Sequence, residues 1–323
     1  MQTRKRVALA FLSLLLLLGI AGCQTADLAE TSTTPSHNAE LSATMVPDID
    51  LDLYVYINQG SPASIPKDIT GTPFDIVAES LSLWGIADDD GFTLGGGLTT
   101  DSENHAAMIA DLVPSQEGIW VAPLGSTIYF VEESGSAAEK LEDAISHKAF
   151  KTYDDKKALA EVALLPDGGT AVRAATAIAT PSDALVHLLA NSVSTEDSQL
   201  IETMFKWAHI QVVTAGLYSS QPIDVIQTAR NVDNGSIWNS ELGVVASVKS
   251  GLPGFIVSPI VVNFLEKSGY AKTDINGLSV YQGSLDTGGG QAVPVFIRVD
   301  GNRIFAAVSG DEAYARTLIT GTK

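Results

Sequence analysis

A single thiol, Cys23, closes an apolar run at residues 11–22 that follows the basic cluster Arg4, Lys5 and Arg6. One cysteine permits no intramolecular disulfide, thiol pair or multi-cysteine metal site. The run of about 12 to 16 apolar residues is short of the ~20 that cross a bilayer as a helix, so it reads as a signal rather than a retained span. The five histidines, His37, His105, His147, His187 and His209, form no pair at metal-ligand spacing. His187 falls in an apolar helical stretch, the setting of a core or interface histidine. Asp48, Asp50 and Asp52 alternate like calcium ligands, but Leu53 stands where the glycine belongs and Gln59 where the closing acid belongs. A strand with one charged face is expected there. Asp88-Asp89-Asp90-Gly91 reads as a solvated turn, with weak calcium binding as the other reading.

The segment Ile20-Ala21-Gly22-Cys23 resembles the lipobox of bacterial lipoproteins, with isoleucine where leucine is usual. The resemblance implies cleavage before Cys23, acylation of that residue and export to the cell envelope. Gln24 follows Cys23, and the absence of aspartate there favours an outer membrane where one exists. Leu285-Asp286-Thr287-Gly288 resembles the catalytic loop of aspartic proteases, whose chemistry needs two aspartates sharing a proton, and the sequence has no second such loop. Ser64-Ile65-Pro66-Lys67, Ser102-Glu103-Asn104 and Lys249-Ser250-Gly251 resemble the three motifs of penicillin-binding proteins and serine β-lactamases. That chemistry requires serine and lysine one helical turn apart, whereas Ile65 before Pro66 favours extended backbone. No nucleophile elbow, phosphate loop or dinucleotide fingerprint is present. The glycine run Gly95-Gly96-Gly97 lacks the lysine and spacing of a phosphate loop.

The chain has 38 acidic and 19 basic residues, a formal charge of −19. Losing Arg4, Lys5 and Arg6 with the signal takes it to about −22, which disfavours nucleic acid as a partner. With 45% hydrophobic and 18% charged residues, the chain has material for a sizeable core.

These residues must be carried by alternating strands and helices. Residues 1–22 are expected as signal peptide and 23–46 as a flexible tether, rich in Ser, Thr, Ala and Glu, with a coil reach of about 25 to 30 Å. A first α+β lobe is expected at 47–153 and a second at 154–323. Strands are predicted at 51–57, 92–98, 119–122 and 127–131, and helices at 74–84, 101–113 and 137–145. The second half reads as strands at 172–178 and 210–218, with helices at 182–191, 195–207 and 223–229. Gly97-Leu98 repeats as Gly216-Leu217, and the hairpin about Gly125 matches one about Gly301. An insertion at about 237–293 would hold a strand at 242–248, a helix opened by Ser258 and Pro259, and a strand at 278–282.

The fold expected is α+β with mainly antiparallel sheets, packed helices and an internal duplication. It gives two related lobes or one sheet built from both. The apolar stretch 257–265 is expected as a buried helix rather than a docking surface. Tyr270 onward to 282, followed by 295–307, resembles repeat ends in uncharacterised exported bacterial proteins, which implies no activity. The expected role is a non-catalytic binding, interaction or structural one at the envelope, with a protein or glycan partner and no cofactor. The alternatives are a transporter's substrate-binding lipoprotein and a hydrolase with an unfamiliar site.

Overall fold

The computed structural model describes residues 37–57, 63–65, 76–88, 91–112, 118–132, 136–153, 156–167, 172–191, 205–219, 242–286 and 292–323. Cys23 and the rest of 1–36 lie outside them, as do the helix expected at 223–229 and residues 195–204 of the preceding one.

The centre of the molecule is set by β2 (Leu53–Ile57), in which all five residues are buried. Its side chains alternate: Tyr54 and Tyr56 enter one core, Leu53, Val55 and Ile57 the other. A strand covered on both faces is expected to be apolar throughout, and β-branched and aromatic residues suit its pleat. Beside it lie β4 (Ile76–Asp88) and β9 (Val172–Ala179), both antiparallel to it.

From β4 the sheet continues through β5 (Gly91–Thr100), β7 (Thr127–Glu132) and β6 (Ile119–Leu124), while β3 (Ala63–Ile65) pairs with β4. From β9 it continues through β10 (Ile210–Ser219), β11 (Leu242–Ser250), β15 (Arg303–Ser309), β14 (Ala292–Asp300), β13 (Leu278–Asp286) and β12 (Ala271–Ile275). The result is one 13-stranded sheet whose described pairings are all antiparallel. The short strands β1 (Met45–Pro47) and β8 (Phe150–Thr152) pair separately. The α+β class with large antiparallel sheets is as expected.

Helices cover both faces. In α2 (Glu103–Leu112), Ala106 and Ile109 pack with Ile128 of β7. In α3 (Ser136–Ser146), Ala138, Leu141 and Ile145 pack with Tyr129 and Val131, whose side chains leave the same strand on the opposite side. On that second side, the ring of Tyr129 lies 5.0 Å from Phe150 and the ring of Tyr54 lies 4.3 Å from Tyr153, fixing β8 to the core. Further along, α7 (Glu312–Thr320) buries Tyr314, Ala315, Leu318 and Ile319 against Phe296 and Phe305. Its first turn is capped by Asp311, whose carboxylate accepts from Ala313 N at 2.8 Å.

Four expectations are corrected. Residues 76–84 are strand, not helix: the spacing of Val77, Ala78, Leu81 and Trp84 mimics a helix face, but β4 is buried on both sides, Leu81 and Leu83 on one and Trp84 on the other. Residues 37–47, assigned mostly to the tether, form α1 (His37–Ala43) and β1, with Leu41 and Val46 fully buried. Residues 48–52 are bends rather than strand. The helix expected from Ser258 begins four residues earlier as α6 (Gly254–Lys267), with Pro259 inside it.

Candidate functional site

The densest charged constellation joins three elements far apart in sequence. Glu161 sits in α4 (Lys156–Val162), the helix between the two halves, and is 1% exposed. Ala158 and Val162 turn into the core, which carries Glu161 onto the sheet at β11 and β15. Its carboxylate accepts from Arg303 Nε at 2.6 Å and Nη2 at 2.9 Å, a bidentate fork, and lies 2.7 Å from Lys249 Nζ. Lys249 and Arg303 are themselves opposite one another across β11 and β15. Burial pushes the Glu161 pKa upward, yet the hydrogen bonds and charges of Arg303 and Lys249 outweigh it and hold the group below the ordinary carboxylate range.

A carboxylate so held is ionised and saturated, the reverse of a general acid or a base poised near neutrality. It works as a clamp. The segment following α4 is fastened in the same way: Arg173 Nη1 donates to Val162 O at 3.3 Å, Tyr218 OH to Pro166 O at 2.8 Å, and Lys323 N to Leu164 O at 2.8 Å. Burial raises the Tyr218 pKa well above the usual tyrosine range, so its hydroxyl remains a neutral donor.

Among the described residues, those flagged in the sequence are not brought together. Ser64 lies in β3, in extended backbone, and Ser102 accepts from His105 N at 3.2 Å at the start of α2. Lys249 is committed to Glu161, and Ser250 Oγ donates to Ala208 O. Pro66 and Lys67 lie outside the described residues. Asp286 ends β13 opposite Ala292, and Thr287 and Gly288 also lie outside the described residues.

Asp48 pairs with Lys151 at 3.0 Å, whereas Asp52 accepts from Ala87 N at 2.7 Å, so these acids diverge. Asp88 accepts from Gly91 N at 3.0 Å and from Ser136 Oγ at 2.8 Å, the work of a turn; Asp89 and Asp90 are outside the described residues. His105 and His147 each meet an aspartate one turn earlier, Asp101 at 2.5 Å and Asp143 at 3.0 Å. His187, expected in a core or interface, lies in α5 (Asp183–Asn191) and is exposed. Among the described residues no group of three or more His, Cys, Asp or Glu could hold a metal ion.

The second candidate is a surface. The stretch 257–265, expected to be buried, hides only Val257 and Leu265 among the residues of α6. Phe255 is 80% exposed, with Phe264, Ile260 and Ile256 at 47%, 42% and 37%. The error has a simple cause: a mostly apolar helix is the pattern of burial, and Ser258 and Asn263 are too few to mark which face lacks a cover. The helix is held firmly in this pose. Ser258 Oγ donates to Gly301 O at 2.8 Å, and Gly254 lies so close to the β14–β15 turn that a Cβ there would meet Gly301 backbone at 2.6 Å.

No family model, curated protein or solved structure matches the chain. The site must therefore be read from its own geometry. Its two described features are a closed ion triad about Glu161 and a helix, α6, that exposes four large apolar side chains.

Proposed function

We propose that this chain is a membrane-anchored envelope lipoprotein with a non-catalytic binding or structural role. The observation that carries the reading is the apolar outer face of α6, four large side chains displayed on a helix that is clamped at its base. Exposed apolar clusters of this kind mark contact surfaces. The anchor rests on Arg4, Lys5, Arg6, the apolar run and Cys23. The saturation of Glu161 supports a scaffold rather than a catalytic centre. No described feature favours the transporter alternative, which calls for a cleft between lobes: here the halves share one sheet through β2 and β9.

We also infer an internal duplication. Its support is the order of elements outward from the β2–β9 pair. On one side run β2, β4, β5, β7 and β6, on the other β9, β10, β11, β15 and β14. In both halves a helix follows the third of these strands and another follows the final hairpin. Gly125 and Gly301 occupy the two hairpin turns with φ of 61° and 60°, a conformation that favours glycine. In this arrangement β5 corresponds to β11, so Gly97 and Gly216 are not equivalent, and the added material of the second half is β12 and β13.

The test of the main reading is intact-mass analysis of membrane-extracted protein with and without Cys23→Ala, coupled to crosslinking in the native extract. A chain starting at an acylated Cys23 and crosslinked through α6 is expected. An unmodified chain in the soluble fraction would remove the anchor, and crosslinks that avoid α6 would remove the surface.

A further inference from the structure

The occupant of the α6 face can be named from what surrounds it. The backbone bond from Gly251 N to His209 O, at 2.7 Å, and the donation from Ser250 Oγ to Ala208 O bring the end of the 205–208 helical turn beside the start of α6. That turn carries Trp207, itself 46% exposed. An aromatic residue is thus added near the end of the α6 crest where Phe255 stands, with Phe264 toward the other end.

Around this crest, residues 205–211 and 251–275 contain the exposed Lys206, Lys267 and Lys272 against the exposed Glu266 and Asp274, and Asp300, beside the turn that meets Gly254, is paired with Arg298. Residues 254–265 carry no charge at all. A helix with an apolar outer face, aromatic residues at its ends and lysines at its margins has the composition of one that lies in the plane of a bilayer interface, with rings at the acyl boundary and ammonium groups among the phosphates.

The chain outside the described residues also limits the possibilities. Only 13 residues separate Cys23 from His37, and fully extended they span at most about 45 Å. A body attached so closely meets the lipid surface constantly.

We propose that α6 and Trp207 form a lipid-docking surface, by which the folded part lies on the bilayer that holds Cys23. The proposal rests on the anchored-lipoprotein reading above. Its ligand is the phospholipid interface itself: Phe255, Ile256, Ile260 and Phe264 enter the acyl boundary while Lys206, Lys267 and Lys272 meet headgroup phosphates. No helix among the described residues is long and apolar enough to cross a membrane, and this docking requires none.

The experiment uses the full chain carrying Ile260→Cys, recovered from membranes of producing cells. An acylated Cys23 leaves position 260 as the one thiol that a polarity-sensitive fluorophore can label. Lys140→Cys, on the exposed side of α3, is the control. Each labelled protein is reconstituted into phosphatidylcholine vesicles with and without bromine in the acyl chains. The expected result is loss of most of the fluorescence at 260 in brominated vesicles and almost none at 140. Adding Phe255→Asp and Phe264→Asp should abolish the loss while circular dichroism stays unchanged.

Equal responses at 260 and 140 would overturn the proposal. So would a label at 260 that is shielded before lipid is present in a protein of doubled mass, which would give the face to a second copy. If intact mass shows Cys23 unmodified, the anchor reading has failed by itself. The same vesicles added to the soluble Cys23→Ser, Ile260→Cys chain then decide the docking face, with bromine quenching at 260 supporting it and no quenching rejecting it.

Discussion

Removing each partner of the Glu161 triad should cost unequal amounts, because the three groups are unequally buried. Arg303→Met leaves a carboxylate that is 1% exposed with Lys249 as its remaining charged partner. Breaking a buried pair by removing one member costs about 3–5 kcal/mol, and retention of Lys249 places this variant near the lower end, about 3 kcal/mol. Glu161→Gln instead leaves two cations whose side chains are 33% and 23% exposed and can turn into water. Its cost is the loss of charge-assisted hydrogen bonds, about 1.5–2.5 kcal/mol. Urea unfolding followed by tryptophan fluorescence at pH 7 should rank Arg303→Met below Glu161→Gln below the parent chain. The pH dependence supplies a second check. The folded-state pKa of Glu161 lies below its ordinary value, so its contribution is present above the unfolded carboxylate range and disappears as pH falls through the folded pKa. The gap between parent and Glu161→Gln should therefore hold from pH 7 down to the unfolded carboxylate range, about pH 4–5, and shrink as pH falls below it. A gap that is absent at pH 7, or that persists unchanged in acid, would refute the clamp.

The two sides of α6 should respond oppositely to charge. Leu265→Asp, at a position 3% exposed, is expected to cost about 3 kcal/mol or more in the same assay, whereas Ile260→Asp, 42% exposed, should fall within about 0.5 kcal/mol. Equal effects would mean that α6 is oriented otherwise. Gly96→Ala should be among the costlier changes in β5, about 1–3 kcal/mol, since its Cβ would meet Ser82 O at 2.7 Å and the Phe130 ring at 2.4 Å; a neutral result by thermal unfolding would contradict that packing. Asp311→Ala should remove the α7 cap and about 1 kcal/mol, read as a lower urea midpoint with unchanged slope.

The local rules were legible where one element decides its own shape. The turns at Gly125 and Gly301, the approximate extents of α2 and α3 and the β-branched and aromatic run of β2 all depend on neighbours in sequence, and all can be read there. Burial on both faces defeated the reading of β4, because a strand with apolar residues on each side loses its period of two. Residues 37–47 looked like tether because the large apolar side chains they bury, Leu41 and Val46 among the described ones, are too far apart to show a period. The triad was invisible as a motif, since residues 161, 249 and 303 meet only through the sheet. One trace did exist. Glu161 stands in the run Ala158-Leu159-Ala160-Glu161-Val162-Ala163-Leu164-Leu165, and an acid inside so apolar a stretch demands a cation when the stretch is buried. The exposure of α6 left no comparable trace, because it depends on what fails to cover the helix.

The pairing of β2 with β9 also sets an order on the birth of the molecule. Residues 53–57 emerge from the ribosome long before residues 172–179, and until the latter arrive β2 has one flank without its partner. That flank is an unpaired edge on a strand whose every side chain belongs in a core, the kind of edge that recruits foreign strands. More than a hundred residues of synthesis therefore separate the making of this edge from its closure. If the chain is exported as proposed, it must be kept unfolded, or its first half shielded, across that interval, and truncation anywhere before residue 172 is expected to leave this edge of β2 open.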